Sequence, residues 1–396
     1  MRLSRTISAA ATAVAMVGLG LLATSTATQA ATVSWPAHYS APYVDVSAYP
    51  TFNLTQSAQT SGNRFYTLAF VLNSGAACTA GWGGSTSLDS GFLQADIASL
   101  RAANGDVAVS VGGANGAEPA MSCTSAGALQ AQYQRIVTNY QISHLDFDVE
   151  GATITDTTSI DLRNKAIAGL ESANPNLKIS YTLPVMPTAL TQDGINLLKN
   201  AVTNHARVDV VNMMTMDYGS ANSDMATAAT SAATALVSQL GGIFSGKSAA
   251  QLWAMVGITP MIGQNDSQGE LFSLANAQSV LSFANAHGLT ELSFWSAGRD
   301  NGGCPGQSYA SPSCSGVSQA QWAYTNTFKA FTPGSVVTPP PPPPGSCTAA
   351  AWWSSTAYVG GSVVSYNGHK WTAKWWTQGD IPGNNSQDVW VDNGTC

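Results

Sequence analysis

The sequence predicts an α/β protein: a (β/α)8 barrel followed by a small β-rich unit closed by a disulfide. Three observations carry that expectation. Eight short β-rich runs alternate with helical stretches over about 300 residues, the pattern of a parallel sheet with crossover helices. Pro339 to Pro344 then form an unbroken proline run, a stiff spacer that cannot lie inside a packed domain. Beyond it about 50 residues end at Cys396, a unit small enough to need its cross-link. A doubly wound open sheet would show the same alternation, but eight repeats favour the barrel.

In chain order the predicted strands are Tyr43–Ala48, Phe65–Leu72, Val107–Val111, Ser143–Glu150, Leu177–Leu183, Val208–Met216, Trp253–Thr259 and Glu291–Trp295. Each is short and rich in β-branched, aromatic or aliphatic residues. Between them, Phe92–Ala102, Leu129–Tyr140, Ser159–Ala173, Ile195–His205 and Ser273–His287 read as helices. Residues 1–31 read as an export signal: Arg2 and Arg5 form a basic start, Ile7 to Ala23 an apolar stretch, and small residues lead to Ala30 and Ala31. A membrane anchor is the alternative, but the stretch is short for a bilayer and nothing comparable follows. The expected organisation is 1–31 signal, 32–332 barrel, 333–346 linker and 347–396 C-terminal unit.

Composition narrows the function classes. Apolar residues reach 44% and charged residues only 9%, which suits a folded, exported protein solvated by neutral groups and makes any acidic cluster conspicuous. Loss of Arg2 and Arg5 with the signal would take the formal charge from −7 to −9, leaving no electrostatic case for nucleic acid. The mature chain is expected to be a monomer, off the membrane. Six cysteines, Cys78, Cys123, Cys304, Cys314, Cys347 and Cys396, suggest bridges in an exported protein, although six allow fifteen pairings. Locality favours Cys78–Cys123, Cys304–Cys314 and Cys347–Cys396. No CxxC pair or nearby histidine supports zinc, so neither metal nor cofactor is expected.

The most informative segment is His144 to Glu150. In a strand, alternate residues share a face. Asp146, Asp148 and Glu150 therefore point one way, and Leu145, Phe147 and Val149 the other. Inside a barrel the apolar set would pack beneath the helices and the acids would face the interior. A stable core has no use for stacked carboxylates, and in confinement at least one must hold its proton. Glu150 falls at the strand's C-terminal end, where barrels place catalytic groups. A cation site or a solvated strand face are the alternatives, and the strongly apolar opposite face weighs against both.

This segment resembles the DxxDxDxE motif of the family 18 glycoside hydrolases, the chitinases. Asp146, Asp148 and Glu150 supply DxDxE, while Ser143 stands for the first Asp and His144 for the usual Gly. Ser110-Val111-Gly112-Gly113 resembles the family's SxGG motif, and Met214-Thr215-Met216-Asp217 its MxYD motif, with Met216 in place of the tyrosine. Tyr218, two residues on, could take over that role if the strand end bends. Trp295 stands where the family places the tryptophan that floors the sugar subsite. Phe70 and Tyr49 resemble rim positions. Singly, a glycine pair or a lone tryptophan says little; together, in register, they say more.

The resemblance implies a substrate-assisted, retaining mechanism. Glu150 would protonate the glycosidic oxygen and later act as base for water, Asp148 would orient the sugar's 2-acetamido group, Asp146 would influence the proton on Asp148, and Asp217 would help hold the sugar. The implied substrates are chitin and chitooligosaccharides. The short span from Thr259 to Glu291 leaves no room for the α+β insertion some members carry, implying a shallow cleft and endo-cleavage. A lectin-like protein that binds without cutting, and an enzyme acting on N-glycans or peptidoglycan, are the competing readings; the retained Glu150 argues against the first.

The C-terminal unit is dense in aromatic residues. Trp371 to Gln378 resembles the AKWWT motif of family 5/12 carbohydrate-binding modules, with Trp375 and Trp376 implied at the chitin-binding surface. Trp352, Trp353 and Trp390 are candidate core residues, since so small a fold cannot bury every ring.

Overall fold

The computed structural model describes residues 33–75, 78–115, 117–219, 224–332, 349, 352, 356–366, 369–384 and 387–395. The expected signal, the linker, Trp353 and the pairing of Cys347 with Cys396 lie outside the described residues.

Eight parallel strands form the barrel: β1 (Tyr43–Asp45), β2 (Phe65–Asn73), β3 (Asp106–Gly112), β4 (His144–Asp148), β5 (Lys178–Met186), β6 (Val210–Met214), β7 (Val256–Thr259) and β8 (Glu291–Leu292). Each pairs in parallel with its sequence neighbour. The ring is closed between its ends. Tyr39 bridges in parallel to Glu291, and the Tyr43 amide donates to the Phe294 carbonyl at 3.0 Å. An open, doubly wound sheet would leave those edges apart.

A helix follows every strand: α1 (Leu54–Ser61), α2 (Gln94–Ala102), α3 (Ala126–Tyr140), α4 (Thr157–Ala173), α5 (Gln192–Thr203), α6 (Met225–Ile243), α7 (Leu274–His287) and α8 (Ala323–Phe328). Their starts follow from local chemistry. Ser125, Asp156 and Asp224 each accept a hydrogen bond from a first-turn amide, and Ser273 forms a reciprocal capping box with Asn276. Such caps satisfy amides that have no intrahelical partner.

Most strand ends differ from the sequence reading by one to three residues, and two of the shifts move a tryptophan out of a strand. Trp253 is not in a strand. It ends a short helix, Ala249–Trp253, fixed by a Ser248–Gln251 capping box, and β7 starts at Val256. The eighth strand stops at Leu292, and Trp295 is held by an isolated bridge to Met261. A two-stranded hairpin (Gly263–Gln264 with Leu271–Phe272) and α7 fill the span between β7 and β8, so that edge of the cleft carries no further wall.

On β4 the two faces separate as alternation requires. Leu145, Phe147 and Val149 are fully buried, and the Phe147 ring packs on Tyr133 of α3 at 5.0 Å and on Tyr181 of β5 at 5.9 Å. Burying one such ring contributes about 1.5–3 kcal/mol. Disulfides join Cys78 to Cys123 and Cys304 to Cys314.

The C-terminal unit has a three-stranded antiparallel sheet (Val363–Tyr366, His369–Ala373, Trp390–Thr395) and a pair of short strands, Ala357–Tyr358 with Thr377–Gln378. Its core is Tyr358, Val364, Ala373, Val389 and Trp390, with Trp352 and Trp371 packed against it. Trp375 and Trp376 are 49% and 61% exposed. Both lie between strands, Trp375 in a bend and Trp376 just before Thr377–Gln378, so strand alternation does not force one of them inward.

Candidate active site

At the C-terminal mouth of the barrel lies a cleft of about 350 Å³. Asp148 and Glu150 of the acidic segment line it, as do Phe70, Met214, Met216, Asp217 and Trp295. Sequence reasoning missed several other lining residues, among them Tyr43, Asp45, Thr182 and Asp266. Among the described residues, five carboxylates line the cleft and no lysine or arginine does.

The acids form a graded ladder. Asp146 is the deepest, 2% exposed, and is surrounded by hydroxyl donors. It accepts from Tyr43 at 3.0 Å, Ser110 at 2.7 Å, Ser180 at 2.6 Å and Thr182 at 2.8 Å. The ring of bonds continues from Asn212 to Tyr43 and Thr182, and from Thr259 to Asn212. Burial pushes the Asp146 carboxyl upward, and the four hydroxyls oppose that push.

One rung higher, Asp148 is held well above the usual carboxylate range, by burial first and then by the charges of Glu150 and Asp146. Its Oδ1 has no hydrogen-bond partner among the described residues. Asp148 also shares a hydrogen bond with Glu150, which raises the first and lowers the second. Two carboxyl groups so arranged hold a proton between them and titrate as a unit.

Glu150 stands at the top, just past the end of β4, with extended backbone that caps the short 3-10 turn Gly151–Ile154. Its carboxyl faces the cleft, not bulk solvent. Burial is the largest cause of its raised pKa, the Asp217 charge adds to it, and the bonds from Asp148 and the Ala114 amide oppose it. A carboxyl with a raised pKa at the mouth of such a cleft can, in its protonated form, donate a proton to a bound ether or acetal oxygen.

The glycine pair of the SxGG motif sets the spacing of this ladder. Gly112 and Gly113 have φ of 110° and 90°, a region that favours glycine. A Cβ on Gly112 would collide with the Asp148 carbonyl, and one on Gly113 would sit 2.7 Å from the Phe70 ring. The Gly113 amide donates to that same Asp148 carbonyl at 2.9 Å. Ser110 and Gly113 therefore do not line the cleft: Ser110 holds Asp146, and Gly113 makes room for Phe70. Phe70 stacks on Trp295, with centroids 5.6 Å apart and planes 15° apart. The Ala69–Phe70 and Trp295–Ser296 peptide bonds are both cis.

Two expectations need correction. Tyr218 does not line the cleft. It lies in the hydrophobic core, 7% exposed, and its amide donates to Glu270 at 3.2 Å. The reason is the turn at Asp217, whose φ of 51° leaves Asp217 at the cleft and Tyr218 in the interior. Met216 occupies the cleft where the motif has tyrosine. Tyr49 does not line the cleft either; it is 97% exposed and borders an adjoining cavity. Asp217 accepts from the Ser267 amide at 2.7 Å, and burial raises its pKa, with Asp266 adding to the shift.

Comparison with solved structures decides the family. The chain aligns with the catalytic domain of a hyperthermophilic chitinase from Pyrococcus furiosus at 32% identity, covering 75% of this chain and 96% of that one, with a TM-score of 0.70. The chain belongs to the family 18 glycoside hydrolases. Active domain 2 of the Pyrococcus furiosus chitinase, as catalytic-site mutants complexed with chito-oligosaccharides, matches with the same TM-score and identity over 95% of its length. Among curated proteins, this family 18 chain is 38% identical to a probable bifunctional chitinase/lysozyme of Escherichia coli (strain K12) over 76% of its length. It is 39% identical to endochitinase 11 of Metarhizium anisopliae over 67%. It spans 35% and 53% of those two relatives' lengths. Residues 351–391 match carbohydrate-binding module family 5/12, so this family 18 chain carries such a module at its C-terminus.

Proposed function

We propose that this protein is a secreted endochitinase that hydrolyses β-1,4 bonds between N-acetylglucosamine units with retention of configuration. The observation that carries this reading is the Glu150 carboxyl, facing the cleft, bonded to Asp148 and above a fixed Asp146. Glu150 gives its proton to the glycosidic oxygen. The sugar's own acetamido oxygen closes on the anomeric carbon, forming the oxazolinium ion as the leaving chain departs with that proton. Asp148, released from its bond with Glu150, holds the acetamido N–H and the positive charge. Glu150, now a carboxylate, takes a proton from water as the water oxygen opens the ring and restores the acetamide. Trp295 offers the flat face on which the reacting sugar stacks, and Asp217 binds beside it.

The domain limits fit this use: a signal over 1–31, the catalytic barrel over 32–332, a linker over 333–346 and a chitin-binding module over 347–396. Exposed Trp375 and Trp376 stack on chitin, and the linker keeps a monomeric barrel near the insoluble surface. No helix among the described residues is long and apolar enough to cross a membrane. A second reading, cleavage of peptidoglycan, is favoured by the relative named as both chitinase and lysozyme. Mass analysis of products from an N-acetylglucosamine hexamer and from peptidoglycan, with wild type and Glu150→Gln, tests both. Hexamer cleavage that vanishes in the variant supports chitinase action; release of muropeptides alone would replace it.

A further inference from the structure

The loop after β6 and the hairpin after β7 each hold the other by an acid. Asp217 reaches across to the hairpin, where the Ser267 amide donates to it at 2.7 Å. Glu270 reaches back from the hairpin, and its Oε2 accepts from the Tyr218 amide at 3.2 Å. The Asp217 amide supports the same carboxylate, and the Gly219 amide donates to Ser267 Oγ at 3.3 Å. We propose that Glu270 is a positioning residue for catalysis: it holds the turn at Asp217, and so keeps the Asp217 carboxylate in the cleft with Glu150. The inference rests on the hydrolase reading above.

The turn needs such a hold. Asp217 has a φ of 51°, a conformation that residues other than glycine keep only where their surroundings impose it. An acceptor facing the amides of Asp217 and Tyr218 imposes it. Glu270 is fully buried and does not line the cleft, so it acts through Asp217 and not on the sugar. Among the described residues it forms no salt bridge. A buried acid without a cation costs stability, which the barrel alone gives no reason to spend.

The hairpin is a firm base for it. The Asn265 side-chain amide donates to the Met261 and Gly263 carbonyls at 2.9 and 3.1 Å, and its backbone amide to the Glu270 carbonyl at 3.0 Å. The Arg299 guanidinium donates to the Ile262 and Gln264 carbonyls at 2.9 and 2.5 Å. The consequence reaches Glu150, whose pKa the Asp217 charge helps to raise. Asp266, Tyr218 and Arg299 are the other titratable groups around the pair. An Asp217 released from its turn would leave Glu150 a stronger acid.

The test is the pH profile of kcat/KM on the N-acetylglucosamine hexamer, with the full chain as wild type, Glu270→Ala, Glu270→Gln, and Glu270→Ala combined with Asp217→Asn. Glu270→Ala should lower kcat/KM about tenfold or more and move the alkaline limb about half a unit to lower pH. Glu270→Gln, which keeps an acceptor for the Tyr218 amide, should recover most of both. In the Asp217→Asn background Glu270→Ala should move the limb no further, because the charge it acts through is gone. If Glu270→Ala does not fold, Ser267→Pro carries the same test, since it removes the opposite amide from a half-buried loop position. A limb that stays in place, or one that shifts equally in both backgrounds, overturns the positioning role while leaving the hydrolase reading intact. A wild type that cuts no hexamer overturns both.

Discussion

Glu150 has a raised pKa although its own hydrogen bonds oppose the rise, because burial and the Asp217 charge both disfavour its anion. The proton donation proposed for it needs the protonated form, so kcat/KM should fall as pH rises through that elevated value. Removing the neighbouring negative charge in Asp217→Asn should lower the Glu150 pKa and move this alkaline limb to lower pH, read from a pH–rate profile. Glu150→Gln should lose activity by at least about 10²–10⁴-fold, the usual worth of a positioned acid, with fold and hexamer binding retained. The three carboxylates were legible in the sequence because strand alternation alone puts Asp146, Asp148 and Glu150 on one face. The hydroxyl ring around Asp146 was not. Tyr43, Ser110, Ser180 and Thr182 come from three strands, and only the closed barrel brings them to one carboxylate. A signal existed in the polar residues at inward strand positions, Ser180 and Thr182 on β5 and Asn212 on β6. Tyr218 was misread for a similar reason: a single positive φ at Asp217 redirects the side chain that follows it.

The strands carry their own tests. Gly112→Ala sets a Cβ against the Asp148 carbonyl at a backbone angle alanine disfavours. It should destabilise the fold by about 1–3 kcal/mol and, by displacing the acidic strand, cut kcat/KM about 100-fold. Thermal unfolding and steady-state kinetics measure the two effects. At the closing seam, Glu291 on β8 is fully buried, accepts only a long bond of 3.4 Å from Tyr39, and has its pKa raised to about 8, mainly by burial and then by Asp146. Its folded pKa lies above its unfolded value, so the stabilising difference is complete below about 4.5 and is lost as pH rises to about 8. Glu291→Gln should remove that loss, making the variant more stable than wild type at pH 9 by on the order of a few kcal/mol but not at pH 4, as urea unfolding at the two pH values would show. The sequence located all eight strands but not every edge. Trp253 has an aromatic's preference for strands, yet the Ser248–Gln251 capping box makes its segment helical. Such a box is visible in sequence, as Ser248 three residues before Gln251.

Across the whole molecule, the proposed function divides two tasks between the barrel and the C-terminal module: bond cleavage in a cleft and adhesion to an insoluble surface. Trp375→Ala with Trp376→Ala should weaken adsorption to crystalline chitin about tenfold or more. The rate on a soluble hexamer should not change, since neither ring belongs to the catalytic domain. The sequence alone suggests that division, because six prolines cannot be packed and a short aromatic-rich segment cannot bury all its rings. Barrel closure was only inferred there; the Tyr39–Glu291 bridge is a contact between residues at opposite ends of the domain, which periodicity cannot reveal. The most direct test of the account is the anomeric form of the first products from the N-acetylglucosamine hexamer, followed by proton NMR within the first turnovers. Catalysis by Glu150 through the sugar's own acetamido group predicts that new reducing ends appear as the β anomer. New ends appearing as the α anomer would contradict it.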